Sequence, residues 1–155
     1  MGRLAQTEGL TEIQSEILGA VHEFVEKEII PVAQELEHAD EYPAEIVEGM
    51  KAMGIFGLMI PEEYGGLGES LLTYALSVEE IARGWMSVSG IINTHFIVAY
   101  MLIQHGTEDQ VQRWVPSALT QEVIWCQLFS EPDAGSDAAG IKTRATRVEG
   151  GWLVN

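Results

Sequence analysis

The sequence predicts a mainly α-helical domain over residues 1–120, followed by the opening strands of a β unit over residues 121–155. Three observations lead there. Apolar residues recur at helical spacing in five successive segments, most of them bounded by a capping residue, a glycine or a proline. After about Gln121 the pattern shifts toward alternation, and β-formers take over. Hydrophobic residues make up 46% and charged residues 21% of the 155 positions, a globular composition with enough chain for a sizeable core.

Thr11 with Gln14 is a capping-box pair opening the first helix, and Ile13, Ile17, Val21, Phe24 and Val25 form its apolar stripe. Pro31 lacks an N–H and its ring clashes with the carbonyl of Lys27, which predicts a kink or break. Pro43 suits the start of a second helix with Ile46, Val47, Met50 and Met53 on its buried face, and Gly54 stops it. Residues 54–70 carry five glycines and a proline among apolar residues, which predicts a long ordered loop in which Ile55, Phe56, Leu58 and Ile60 pack.

Ser70 caps a third helix running to about Arg83. The fourth, over residues 87–105, is apolar on most faces and is expected to be central, with Gly106 ending it. Thr107 with Gln110 repeats the capping box for a short fifth helix carrying Val111, Trp114 and Val115, which Pro116 helps to close. Residues 122–129 read as a strand, residues 143–148 alternate, 149–151 turn, and 152–155 begin another strand. A β unit of 35 residues with open edges is expected to be incomplete, so the chain reads as truncated.

A net charge of −16, from 24 acidic and 8 basic residues, repels phosphate backbones and anionic lipid, so neither nucleic acid nor a membrane surface is an expected partner. The most apolar stretch, residues 90–103, is interrupted by Asn93, Thr94 and His95 and falls short of a bilayer span of roughly 20 residues. The single cysteine, Cys126, reads as a small buried hydrophobe and suits a reducing setting such as the cytoplasm. Glu79 and Glu80 are adjacent, with no Glu-x-x-His pair beside them, so no metal is expected. Met50, Met53, Met59, Met86 and Met101 read as core filler, and His95 as a hydrogen-bonded core residue rather than a pocket lining.

Residues 130–137, SEPDAGSD, combine hydroxyls, a glycine and backbone N–H groups that no sheet uses. Such a loop is either a surface turn bonded to its own Asx and Ser side chains or an anion-binding concavity. The whole string, followed by KTRATRV and GGWLVN, resembles the acyl-CoA dehydrogenase family, whose middle domain carries a [ST]EPxAGSD signature. Family-like strings stand in order upstream: IPEEYGG at 60–66, EEIARG at 79–84, HGTEDQ at 105–110 and the pair Val115-Pro116. The resemblance covers residues 10–155.

The resemblance implies an N-terminal helical bundle domain followed by the start of an antiparallel β-barrel domain, with a C-terminal four-helix domain absent. It implies FAD as cofactor and an acyl-CoA thioester as substrate, losing a proton from Cα and a hydride from Cβ. An electron-transfer flavoprotein is the implied acceptor, in a homo- or hetero-oligomer (dimer or tetramer) of fatty acid metabolism. The family's base is in most members a glutamate of the C-terminal domain, so no catalytic residue is assigned here.

The implied cofactor residues are Gln127, Leu128, Phe129, Ser130, Gly135 and Ser136. Ser130 matches the hydroxyl that meets the flavin pyrimidine edge. Gln127 and Phe129 flank it through their backbones, and Gly135 lets the chain approach the pyrophosphate. Ser136 matches a serine touching pyrophosphate or substrate. Lys142, Arg144 and Arg147 are the one basic cluster nearby, read as a solvated strand face. Two alternatives stay open: oxidase or flavin monooxygenase chemistry on the same scaffold, and a non-catalytic helical subunit of a hetero-oligomer.

Overall fold

The structure, a computed structural model, describes residues 9–120 and 125–155. Helices α1 (Glu12–Phe24), α2 (Ile30–Ala39), α3 (Ala44–Ala52), α4 (Leu71–Gly84), α5 (Met86–His105) and α6 (Glu108–Thr120) precede a hairpin of β1 (Ala145–Val148) and β2 (Gly151–Val154). The mainly helical unit followed by antiparallel strands is the predicted fold class.

The predicted capping box opens α1. Thr11 Oγ1 accepts the Gln14 N–H at 3.2 Å, and Gln14 Oε1 accepts the Thr11 N–H at 3.0 Å. The Gln14 amide nitrogen also donates to Thr73 Oγ1 at 3.0 Å, which ties the start of α1 to the start of α4. The buried stripe differs from the expected one. Ile13 is exposed in the first turn, and Leu18 joins Val21 and Val25 instead. Ile13 lies in the first turn, next to the cap, where its side chain stays in solvent.

Pro31 neither breaks nor ends the helix. A π-helical turn over Val25–Ile29 comes first, in which the Ile30 N–H donates to the Val25 carbonyl five residues back. The widened turn moves the Lys27 carbonyl away from the proline ring, and α2 continues to Ala39.

Ile46, Val47 and Met50 of α3 are buried, and Gly54 follows at φ 75°, the left-handed stop. The next segment is ordered as expected, with Ile55, Phe56, Leu58 and Ile60 all buried. Its backbone holds itself: Leu67 N–H donates to Gly57 O at 2.9 Å, Gly68 to Ile60 O at 2.9 Å and Glu69 to Leu58 O at 2.8 Å. Gly66 allows this folding back, because a Cβ there would lie 2.0 Å from Ile60 O.

The main core runs from Val21, Val25 and Ile29 through Val47, Met50 and Phe56 to Ile81, Val88 and Ile92. Full burial of each such side chain stabilises by about 1.5–3 kcal/mol, an upper estimate for a compact unfolded chain. A second cluster joins Ile60, Ala99, Val111 and Val115.

Helix α5 lies between α4 and α6. Its 20 residues are long and apolar enough to span a bilayer, contrary to the expected shortfall. The polar triplet falls inside the helix without shortening it: His95 is buried and Tyr74 Oη donates to Asn93 at 3.3 Å. Tyr100, Met101 and Met86 stand exposed, so those two methionines are not core filler.

Helix α6 does not close at Pro116 but runs on to Thr120, because Val111, Val115 and Ala118 keep its inner face buried past the proline. The expected strand over 122–129 is not formed at residues 125–129, which are irregular; residues 121–124 lie outside the described set. Pairing needs a partner strand, and apolar content alone does not supply one. The hairpin does form, with Ala145 opposite Val154 and Val148 opposite Gly151.

Candidate functional site: a clasped loop beyond the last helix

The six predicted cofactor residues lie in one continuous loop between α6 and β1. Trp125 anchors its start, packing on the second core cluster with its ring 5.6 Å from that of His95. His95 itself is buried, its Nε2 is 2.7 Å from Ala118 O, and its ring meets Phe56 edge-on at 5.3 Å. A carbonyl only accepts, so Nε2 carries the proton. Burial holds the imidazole below its ordinary pKa, against a smaller upward pull from the carbonyl. His95 is therefore a core residue that joins α5 to the end of α6.

Beyond Trp125 the chain turns outward. Cys126 is exposed, not buried as expected, since no strand carries it into a core. Leu128 is 94% exposed and Phe129 59% exposed, so neither packs on the helical unit. Gln127 is half-buried, and its Nε2 is enclosed with no hydrogen-bond partner. An orphaned donor of this kind costs free energy unless something meets it.

At Glu131 the chain reverses. Glu131 N–H donates to Ala134 O at 2.8 Å, and Ala134 N–H returns to Glu131 O at 3.1 Å. Ser130 and Gly135 leave this turn from its two adjacent ends. Ser130, Gly135 and Ser136 are all exposed, and a Cβ added at Gly135 would meet nothing within 4 Å. The glycine is thus not demanded by the protein's own packing.

The residue that sequence reasoning passed over is Glu131. Its Oε2 accepts the Lys142 N–H and its Oε1 the Thr143 N–H, both at 2.8 Å. The Thr143 hydroxyl and these two backbone donors hold its carboxyl below the ordinary carboxylate range. No local pattern points across the intervening residues, so only the fold reveals it. Of the basic cluster, Lys142 reaches Asp133 at 3.2 Å, and the Arg147 guanidinium lies 5.9 Å from the Trp152 ring centre.

A cleft of about 710 Å³ opens elsewhere, between the end of α1, α2 and the start of α3, lined in part by Phe24, Val32, Leu36 and Tyr42. None of residues 127–136 lines it. We place the candidate site at the loop, which carries the donors, rather than at this cleft.

Residues 11–122 match the acyl-CoA dehydrogenase N-terminal domain. The chain is 34% identical over 152 residues to the human mitochondrial short-chain specific acyl-CoA dehydrogenase, covering 97% of this chain and 37% of that protein. Butyryl-CoA dehydrogenase from Megasphaera elsdenii superposes with a TM-score of 0.88 at 31% identity, over 97% of this chain and 40% of the other. A glutaryl-CoA dehydrogenase from Mycobacterium smegmatis, solved in complex with FADH2, superposes at 0.86 with 25% identity, over 94% and 38%. The chain spans between 27% and 39% of the length of curated relatives such as these. With a matched domain running from the α1 cap past the end of α6, the chain belongs to the acyl-CoA dehydrogenase family.

Proposed function

We propose that this chain serves the FAD-dependent α,β-dehydrogenation of an acyl-CoA thioester, with the 125–136 loop forming part of the flavin pocket. The observation that carries the reading is the signature loop itself: a turn beyond the last helix, with Ser130, Gly135 and Ser136 exposed. Its donor set fits an electron-rich heterocycle. It offers the two exposed hydroxyls of Ser130 and Ser136 beside an exposed glycine, Gly135. FAD, when bound, supplies the hydride acceptor.

The loop's own contribution is electrostatic. Ser130 offers a hydroxyl proton where negative charge grows at the flavin pyrimidine edge, and a donor preset there needs no reorganisation. Gly135 leaves room for a pyrophosphate to approach the backbone, and Ser136 offers a second hydroxyl to pyrophosphate or substrate. No residue described here is assigned as the base that takes the Cα proton. The proposal extends to an electron-transfer flavoprotein as acceptor, to a dimer or tetramer, and to a reducing intracellular compartment.

The test is the visible absorbance of the purified full-length protein with FAD, titrated with acyl-CoAs of varied length. Bleaching of the flavin band without peroxide supports dehydrogenation, and peroxide release points to oxidase chemistry instead. Ser130→Ala is expected to raise the FAD Kd by up to about tenfold, the upper worth of one neutral hydrogen bond. A protein that stays colourless in excess FAD overturns the reading.

A further inference from the structure

We propose that Glu131 is the positioning residue of the flavin-facing loop: its carboxylate, by gripping the N–H groups of Lys142 and Thr143, sets the direction in which Ser130 and Ser136 are presented. The inference rests on the flavin reading above. It adds a role for a side chain that does not itself touch the cofactor.

The geometry carries it. Each carboxylate oxygen takes a separate backbone donor, so the side chain is committed along both edges. The donors belong to successive residues just ahead of Arg144, whose N–H and carbonyl pair with Asn155 at 2.8 and 3.1 Å. Glu131 thus fastens the loop to the base of the hairpin. The same residue's main chain closes the turn with Ala134, whose side chain is buried at 1% exposure. One residue therefore anchors both the turn that separates Ser130 from Gly135 and the segment 142–143 beyond Ser136. The exposed pair Lys142 and Asp133 adds a second tie across the same span, of small worth in water. A carboxylate engaged by three donors is also a poor base, so Glu131 is unsuited to abstracting a substrate proton.

A glutamine at this position keeps the shape but offers one acceptor, and turns an NH2 donor toward a backbone N–H. The experiment compares Glu131→Gln, Glu131→Ala and Ser130→Ala in the FAD-loaded protein. It reads amide hydrogen exchange at residues 142–143, FAD affinity, and the position and shape of the bound-flavin band. Exchange should speed at least tenfold in both Glu131 variants, the FAD Kd should rise at least tenfold, and the band should shift. The glutamine variant serves if the alanine variant fails to fold. Faster exchange with wild-type FAD affinity and an unshifted band overturns the positioning role, and a weakened Ser130→Ala would then show the flavin reading intact. Unchanged exchange overturns the clasp itself. If Ser130→Ala and Glu131→Gln both leave FAD binding untouched, the flavin placement fails and the proposal falls with it.

Discussion

His95 Nε2 donates to the carbonyl oxygen of Ala118 across 2.7 Å, joining two helices through a fully enclosed bond. Replacing His95 by Phe keeps the ring and strands the carbonyl. The expected loss is about 1–3 kcal/mol of unfolding free energy, read by urea denaturation. The bond also imposes a pH dependence. Burial depresses the folded-state pKa below 6.5, so the unfolded chain binds the proton more readily. Stability from this group is complete above 6.5 and falls as the pH drops below it; the Phe variant should lack that part of the decline. A wild-type profile unchanged by the substitution would remove His95 as its source.

Glu80 is the one carboxylate of the described core, its side chain only 7% exposed. Burial alone would raise its pKa, but hydrogen bonds from Arg83 and His22 outweigh that and hold it below 4.5. Arg83 Nη2 reaches Glu80 Oε1 and Glu26 Oε1, each at 2.7 Å, and His22 Nδ1 lies 2.6 Å from Glu80 Oε1. Arg83→Met leaves a buried charge with one partner fewer and should destabilise by about 1–2 kcal/mol, discounted for the exposed guanidinium. Adding Glu80→Met to it should recover part of the loss in a double-mutant cycle. Since the Glu80 pKa is depressed, the network's contribution is present above pH 4.5 and fades as acid is added below it.

Three glycines separate required from tolerated. Gly66→Ala drives a methyl to within 2.0 Å of Ile60 O, a backbone atom, and should cost about 3 kcal/mol. Gly49→Ala meets Phe24 Cε2 at 2.5 Å, a side chain able to shift, so a smaller loss is expected. Gly19 sits inside α1 with nothing within 4 Å, and Gly19→Ala should stabilise by about 1 kcal/mol. Melting temperatures of the three variants check the order, with about 2–4 °C per kcal/mol at this chain size.

Helix starts were the most legible part of the fold because their signals are local. Thr11 with Gln14, Ser70, and Thr107 with Gln110 each form the cap their spacing announces. What failed depends on distant partners. Nothing near Ile13 tells that its helix end lies outside the core, and nothing near Pro116 tells that buried neighbours carry the helix past it. The apolar run around Cys126 has strand composition, yet composition cannot supply a neighbouring strand. At the candidate site the string SEPDAGSD located the loop, while the grip of Glu131 on residues 142–143 became visible only once the chain was folded.

The wide turn ahead of Pro31 has a consequence for winding. Val21, Val25, Ile29 and Ala33 follow one another at intervals of four, and all are buried. On a regular α-helix each such step overshoots a full circle by about 40°, so the fourth residue would have rotated well away from the first. The slack in one loose coil absorbs that overshoot and keeps all four aimed at the same neighbours. Tightening Val25–Ile29 to ordinary pitch with no residue removed would swing Ala33 and Leu36 out of line, even with every apolar side chain still present.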